Sequence, residues 1–195
     1  MNAKRILITG DSFVEGVGTV HGGWAQKFAV KPGCDAEIVI KGIGGQNTAD
    51  LLARLEDELA LQPEIVVVGI GTNDSRWRPS MDRHEISLAE FRRNLEILIA
   101  RILERNAMPV LLGLTRVDEA LTIPFKEDKI YRNQYLAAYS DNIRYVARAL
   151  GGTFIAMPEL ANTPGMLSDG LHPSEPGHRV LLEAVLAGLS HLRTA

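Results

Sequence analysis

The sequence predicts an α/β fold, a three-layer α/β/α sandwich built on a five-stranded parallel sheet. Short apolar runs rich in β-branched residues alternate along the chain with longer amphipathic segments of helical period. The short runs are continuously apolar, which is typical of parallel strands that helices cover on both faces. Because right-handed helical crossovers join parallel strands, we expect a doubly wound sheet. Five strands fit the flavodoxin-like order 2-1-3-4-5.

The predicted strands share a short, uninterrupted apolar run and comprise residues 5–9, 37–40, 65–70, 110–114 and 153–156. In the order 2-1-3-4-5 the first and third strands are neighbours at the point where the strand order reverses. A crevice opens there, at the carboxyl ends of the strands. We therefore expect a functional site at this edge of the sheet.

Helical patterns lie between the strands, at residues 48–61, 87–106, 128–150 and 175–191. The first of these begins at Thr48, which is predicted to be its N-cap, and carries leucines along one stripe. The third stops at the glycine pair 151–152, a strong terminator. Ser174 is predicted to cap the last helix. Two irregular stretches, residues 74–86 and 116–127, are long enough to be functional loops at the rim.

Length and composition bound the class of protein. A chain of 195 residues is long enough for one domain with a sizeable core, so residues 1–195 are predicted to form a single domain. The net charge is −3 and no Lys/Arg cluster is present, which gives no indication of a nucleic-acid partner. No apolar run reaches the roughly 18 residues of a membrane span. The oligomeric state is not predicted.

The beginning of the chain and its cysteine content suggest a cellular compartment. The first residues carry positive charge but no apolar leader segment before the first strand, so a cytoplasmic location is expected. The single Cys34 has no second cysteine for a disulfide and no metal-ligand spacing around it. We expect it to pack as a small apolar residue.

A serine after the first strand is matched by an aspartate and a histidine near the end of the chain. Ser12, Asp169 and His172 are the three side-chain types of a nucleophile, orienter and base relay. Asp169 and His172 stand three residues apart in a turn-rich segment, where their side chains can form a hydrogen bond. The other imidazole nitrogen of His172 is then free to face Ser12 across the crevice.

Two further strand ends supply hydrogen-bond donors. Residues 42–45 (Gly-Ile-Gly-Gly) follow the second strand, and Asn73 follows the third. Acyl transfer through a tetrahedral intermediate needs preorganised donors for an oxyanion. The backbone N–H groups of Ser12 and Gly45 and the side-chain amide of Asn73 are the candidates, because glycine allows close backbone approach and asparagine offers a neutral donor.

The four segments, residues 8–13, 42–45, 68–74 and 169–173, resemble the signature blocks of the GDSL, or SGNH, hydrolase family. They occur in the family's order and span nearly the whole chain. The resemblance implies a flavodoxin-like sandwich that hydrolyses esters and thioesters without a metal or cofactor. It implies that Ser12 is the nucleophile, that Gly45 and Asn73 complete the oxyanion hole, and that Asp169 and His172 complete the triad.

The second block departs from the family pattern at its flanks. The family often has Asn before the first glycine and Asp after the last, whereas this chain has Lys41 and Gln46. This difference bears on local hydrogen bonds and on substrate preference. The larger α/β-hydrolase superfamily is a poorer match, because the chain has no G-x-S-x-G motif.

Five other residues are candidates for contact with a substrate. Asp11 either touches substrate or, as we favour, caps the helix that follows. Arg76 and Trp77 either grip an anionic or carbohydrate-like substrate or face solvent. Phe125 and Leu167 either line a pocket for an acyl group or pack beneath the loops that carry them.

Three classes of function are compatible with these residues. The leading hypothesis is a serine esterase for small carboxylic esters, with a lysophospholipase, thioesterase or carbohydrate O-deacetylase as alternatives of the same mechanism. A nucleotide-binding module is disfavoured, because no Gly-rich phosphate loop opens the first helix. A metal-dependent hydrolase would use Asp11, Asp74, Asp169 and His172. Few residues lie outside the sandwich, so the crevice is predicted to be shallow and to prefer short acyl chains.

Overall fold

The central sheet has the strand order that the sequence predicts. A computed structural model describes residues 5–31 and 36–190. Its five sheet strands are β1 (Arg5–Gly10), β2 (Glu37–Gly42), β3 (Ile65–Gly69), β4 (Met108–Leu112) and β5 (Thr153–Ile155). All neighbouring pairs are parallel, in the order β2-β1-β3-β4-β5. The ends of β1 and β3 therefore lie side by side, as expected for the reversal point.

Within the part of the chain that the structure describes, six helices cover the two faces of the sheet: α1 (Ser12–Glu15), α2 (Trp24–Ala29), α3 (Thr48–Leu59), α4 (Leu88–Glu104), α5 (Asn133–Ala149) and α6 (Glu175–Ser190). One buried core joins the sheet to α3, α4 and α5, and a second joins it to α2 and α6. Successive residues of β1 alternate between the cores, with Leu7 in the first and Ile6 and Ile8 in the second. Both faces are thus buried, and the three-layer sandwich is confirmed. Trp24 and Phe28 pack in the second core.

The predicted start of the fourth strand was wrong by two residues, because β4 begins at Met108 and contains Pro109. Proline has no N–H to donate to a ladder. The N–H of Met108 donates toward β3, to the carbonyl of Glu64, at 2.8 Å. The nitrogen of Pro109 consequently faces β5, which pairs with β4 only from Val110 onward. No ladder hydrogen bond is lost at the proline.

Two helix starts also differ from the prediction. Asn47, not Thr48, is the N-cap of α3, and its side chain accepts hydrogen bonds from the next backbone N–H groups. The threonine instead occupies the first helical position. Helix α5 begins at Asn133 rather than at residue 128, because the preceding segment is extended and Ile130 pairs with the backbone of Trp77. For α6, the hydroxyl of Ser174 accepts a hydrogen bond from the N–H of Gly177 at 3.3 Å, as expected of a cap.

The two stretches predicted to be irregular contain short regular elements. The first includes a one-turn helix, Thr72–Ser75, and a two-stranded hairpin formed by Trp77–Arg78 and Arg83–His84. The second includes the one-turn helix Glu119–Thr122. Within the described ranges, no helix combines the length and apolar character needed to cross a membrane. The prediction for Cys34 lies outside the described residues.

Candidate active site

A sharp turn between β1 and α1 holds Ser12 at the carboxyl edge of the sheet. At Gly10 (φ +154°) a Cβ atom would lie 1.9 Å from the carbonyl oxygen of Gly69, so only glycine fits. The N–H of Asp11 donates to the same carbonyl at 3.1 Å, and its carboxylate caps α1 by accepting from the N–H of Phe13 at 3.0 Å. The turn is therefore tied to β3 and to its own helix. Asp11 takes the capping position that the sequence favours.

Three side chains form a continuous hydrogen-bonded chain at this edge. The hydroxyl oxygen of Ser12 lies 3.1 Å from Nε2 of His172, and Nδ1 of the same ring lies 2.8 Å from Oδ2 of Asp169. The other carboxylate oxygen accepts from the backbone N–H of His172 at 2.7 Å. Burial tends to raise the pKa of Asp169, but hydrogen bonds from the backbone and ring of His172 outweigh it and hold this pKa below its ordinary value. The carboxylate is thus ionised at neutral pH.

The turn that carries Asp169 and His172 depends on one glycine. Gly170 has a φ of +85°, and a Cβ atom there would lie 2.5 Å from Cβ of Leu121. The carbonyl of this glycine accepts from the N–H of Asp118 at 2.8 Å, so the segment that follows β4 supports the turn. The turn is therefore stabilised both by the conformation that Gly170 allows and by the hydrogen bond from Asp118 in a neighbouring loop.

Loops after β2 and β3 carry the two other candidate oxyanion donors. The N–H of Ile43 donates to the carbonyl of Gly10 at 3.0 Å, which ties the glycine loop to the serine turn. Gly45 has a φ of +82°, and its N–H has no acceptor within residues 5–31 and 36–190. As the first residue of a helix, Ser12 likewise has an N–H without an intrahelical acceptor. The amide of Asn73 donates one hydrogen to the carbonyl of Gln46 at 2.9 Å, next to Gly45.

The amide oxygen of Asn73 has two buried donors. The hydroxyl of Tyr131 lies 3.2 Å from Oδ1 of Asn73, and Nη1 of Arg76 lies 3.3 Å from it. The guanidinium also donates to Glu85 at 2.9 Å, and the arginine is only 9% exposed. The guanidinium of Arg76 is thus engaged by Asn73 and Glu85, and this placement does not support the predicted grip on substrate. Tyr131 was not among the predicted site residues.

The remaining candidates divide into those near His172 and those away from it. The rings of Phe125 and Phe13 lie 6.1 and 6.2 Å from the imidazole, measured between centroids, and form apolar walls beside it. Phe13 follows Ser12 directly, a position that could have been read as a wall from the sequence. Trp77 packs against His84 in the hairpin, and Leu167 packs against the α2–α6 core. Neither placement supports contact with substrate.

Two buried carboxyl groups stand next to site residues in the sequence, Asp11 before Ser12 and Asp74 after Asn73. Asp74 accepts hydrogen bonds from the N–H and hydroxyl of Thr48 at the start of α3, and burial raises its pKa to about 6. Burial raises the pKa of Asp11 to about 7. Both side chains thus accept hydrogen bonds at the N-terminus of a helix, and they are not directed at His172. Among the residues that the structure describes, no group of three His, Cys, Asp or Glu side chains is placed to hold a metal ion.

Comparison with known proteins identifies the family. The model of the GDSL-like Lipase/Acylhydrolase family matches residues 8–180. An acetylxylan esterase from Geobacillus stearothermophilus is 29% identical over 170 residues, which cover 81% of this chain and 74% of that protein. Esterase TesA from Pseudomonas aeruginosa is 27% identical over 198 residues, covering 97% and 90%. A crystal structure of TesA matches with a TM-score of 0.77 and 26% identity over 97% of this chain and 99% of that one. The chain therefore belongs to the GDSL-like lipase/acylhydrolase family, and it is an ester hydrolase.

Proposed function

We propose that the protein is a serine esterase that cleaves small carboxylic esters through an acyl-enzyme on Ser12. The observation that carries this proposal is the chain of contacts from Asp169 through His172 to Ser12, at 2.8 and 3.1 Å. A serine hydroxyl is a poor nucleophile unless a base lies within hydrogen-bond reach, and an imidazole needs a partner that fixes its tautomer. Both requirements are met in this chain of contacts.

Acylation follows from these positions. The hydroxyl oxygen of Ser12 attacks the ester carbonyl while its proton passes to Nε2 of His172. Asp169 keeps the other ring nitrogen protonated and stabilises the imidazolium that forms. When the tetrahedral intermediate collapses, the bond to the leaving oxygen breaks and His172 returns the proton to the departing alcohol. A water molecule then repeats the sequence on the acyl-enzyme, which releases the carboxylic acid and restores Ser12.

The negative charge of the tetrahedral intermediate needs donors that are already in place. The N–H groups of Ser12 and Gly45 and the second amide hydrogen of Asn73 are available at the edge of the crevice. Loss of one such donor typically lowers turnover by about 100- to 1,000-fold. These three groups are the proposed oxyanion hole.

The proposed acyl group is short, with acetyl esters, including acetyl groups on a carbohydrate, as the favoured class. The rings of Phe13 and Phe125 flank His172, and the segments that follow β3 and β4 are folded in part into the one-turn helices Thr72–Ser75 and Glu119–Thr122. The similarity to an acetylxylan esterase supports the same class. Long acyl chains of lysophospholipids or thioesters would need an apolar channel beyond these two rings.

The test compares release of p-nitrophenol from its acetate and octanoate esters, with and without EDTA. We expect turnover of the acetate to survive chelation and to fall by about 10⁴-fold or more in Ser12→Ala. Ser190→Ala, which removes an exposed hydroxyl at the end of α6, is the matched control and is expected to keep full activity. Activity that is indifferent to Ser12 would contradict the mechanism. Equal turnover of both esters would contradict the short acyl group.

A further inference from the structure

Three hydrogen bonds hold the side-chain amide of Asn73. One of its two amide hydrogens is donated to the carbonyl of Gln46 at 2.9 Å. Its amide oxygen accepts from the hydroxyl of Tyr131 at 3.2 Å and from Nη1 of Arg76 at 3.3 Å. A flipped amide would direct its NH₂ group at two donors and its oxygen at a carbonyl. The contacts therefore select one orientation, in which a single N–H remains free.

We propose that Tyr131 and Arg76 are positioning residues that hold and polarise the Asn73 amide, so that its free N–H is directed at the oxyanion of the reaction. This inference rests on the proposed function, since it assigns a role to partners of the proposed oxyanion hole. Neither residue needs to touch substrate. Both act on the rate only through the amide of Asn73.

The two donors are themselves fixed in place. Tyr131 is 2% exposed, and burial raises the pKa of its phenol, so the hydroxyl stays a donor at neutral pH. The ring of Phe125 packs edge-on against it at 5.7 Å. Arg76 is oriented from its other side by Glu85, which accepts from Nε at 2.9 Å and also binds Arg78 at 2.8 Å. Neither donor is therefore free to move far from the amide of Asn73.

Donors on the amide oxygen also change the strength of the remaining N–H. Hydrogen bonds in a chain polarise one another, and the effect is larger in a buried, low-dielectric setting. Electron density drawn toward Oδ1 of Asn73 makes its N–H a better donor. The gain is realised when the carbonyl oxygen of the substrate becomes an oxyanion, so it should appear in kcat and leave KM nearly unchanged.

One segment connects these donors to the other half of the site. The N–H of Tyr131 donates to the carbonyl of Thr122 at 3.1 Å, and the hydroxyl of Thr122 donates to the carbonyl of Asp118 at 3.0 Å. The N–H of Asp118 donates to the carbonyl of Gly170, which lies between Asp169 and His172. Residues 118–131 thus support the Asp–His turn at one end and the Asn73 amide at the other.

The first test uses Tyr131→Phe, which keeps the ring against Phe125 and removes only the hydroxyl. We expect kcat for p-nitrophenyl acetate to fall by about 5- to 20-fold, the value of one buried hydrogen bond, with KM changed less than about 2-fold. Tyr145→Phe, at a half-exposed tyrosine on α5, is the matched control and should keep the wild-type kcat. Affinity for methylboronic acid, which forms a tetrahedral adduct with serine, should fall by the same factor as kcat.

The second test repeats the substitution in an Asn73→Ala background, where it should cause no further loss. A Tyr131→Phe enzyme with wild-type kcat, or a full additional loss in the Asn73→Ala background, would overturn the inference while leaving the oxyanion hole in place. If Asn73→Ala alone kept the wild-type kcat, the proposed oxyanion hole would be wrong, and the inference with it. Thermal unfolding of each variant separates lost rate from lost structure.

Discussion

Replacing Asp11 by Asn removes a buried titratable group from the Ser12 turn and keeps the hydrogen bond that this side chain accepts. Asp11 is 1% exposed, and its carboxylate accepts from the N–H of Phe13 at 3.0 Å. Asn offers the same acceptor and is an equally good N-cap. Burial raises the pKa of Asp11 from 3.8 to about 7. The substitution should therefore change the number of protons that the chain takes up on folding and leave the hydrogen bond of the turn in place.

The sign and size of the effect follow from that pKa. Between the two values the folded chain keeps a proton on Asp11 that the unfolded chain has lost, so its contribution to stability falls as pH rises. The cost is absent below the unfolded value of 3.8 and complete above the folded value of about 7. Since a tenfold change in proton affinity is worth about 1.4 kcal/mol, the full cost is at most ~4 kcal/mol of unfolding free energy.

Urea unfolding of the wild type and Asp11→Asn, near pH 4 and near pH 9, measures this cost. The two proteins should be similarly stable at the lower pH, and the variant should be the more stable at the higher pH, by up to ~4 kcal/mol. Asp57→Asn, at an exposed position of α3, is the matched control and should show no such widening. A difference between wild type and Asp11→Asn that does not change with pH would refute the buried-carboxyl reasoning.

Two further substitutions test the turn that carries the Asp–His pair. Asp169→Asn removes the ionised partner of His172 and should lower kcat by about 10⁴-fold with the fold retained, measured with p-nitrophenyl acetate; wild-type kcat would contradict the role of the carboxylate. Gly170→Ala introduces a side chain at φ +85° and against Leu121, so it should lower both the melting temperature and kcat. Gly165→Ala has a similar φ of +78° but open space around the new Cβ, so it should cost only about 1 kcal/mol and leave kcat unchanged. Equal melting temperatures for the two alanine variants would show that the Leu121 contact contributes nothing.

The sheet and the gathering of the site at its edge were predictable, because they depend on local pattern and on topology. Continuous apolar runs mark buried parallel strands, and the order of a doubly wound sheet brings the ends of the first and third strands together. Ser12 and Asn73 follow those two strands, so their proximity needed no knowledge of side-chain packing. The start of β4 was not predictable from the apolar pattern. Pro109 fits in this strand because its nitrogen faces β5, which does not pair with it, and the extent of that pairing cannot be read from the local sequence.

The partners of Asn73 were not predictable from the sequence in this way. Tyr131 is 58 residues away, inside the stretch 128–150 that the sequence predicts to be helical. Its actual position depends on the pairing of Ile130 with Trp77, which keeps this part of the stretch extended. Arg76 follows Asn73 closely enough to suggest a charge in the crevice. Its direction is set instead by Glu85, which the unpredicted hairpin turns back toward it. Contacts between segments that are distant along the chain leave no trace in local spacing.

Identification of the residue that becomes acylated tests the mechanism most directly. The enzyme would be mixed with p-nitrophenyl acetate, quenched in acid within the first turnover, digested and mapped by mass spectrometry. An acetyl group is predicted on the hydroxyl of Ser12, in amounts that match the initial burst of p-nitrophenol, and no acetylated peptide is predicted in Ser12→Ala. An acetyl group on another residue that turns over at the steady-state rate, or steady release of product from Ser12→Ala, would contradict the Ser12 mechanism.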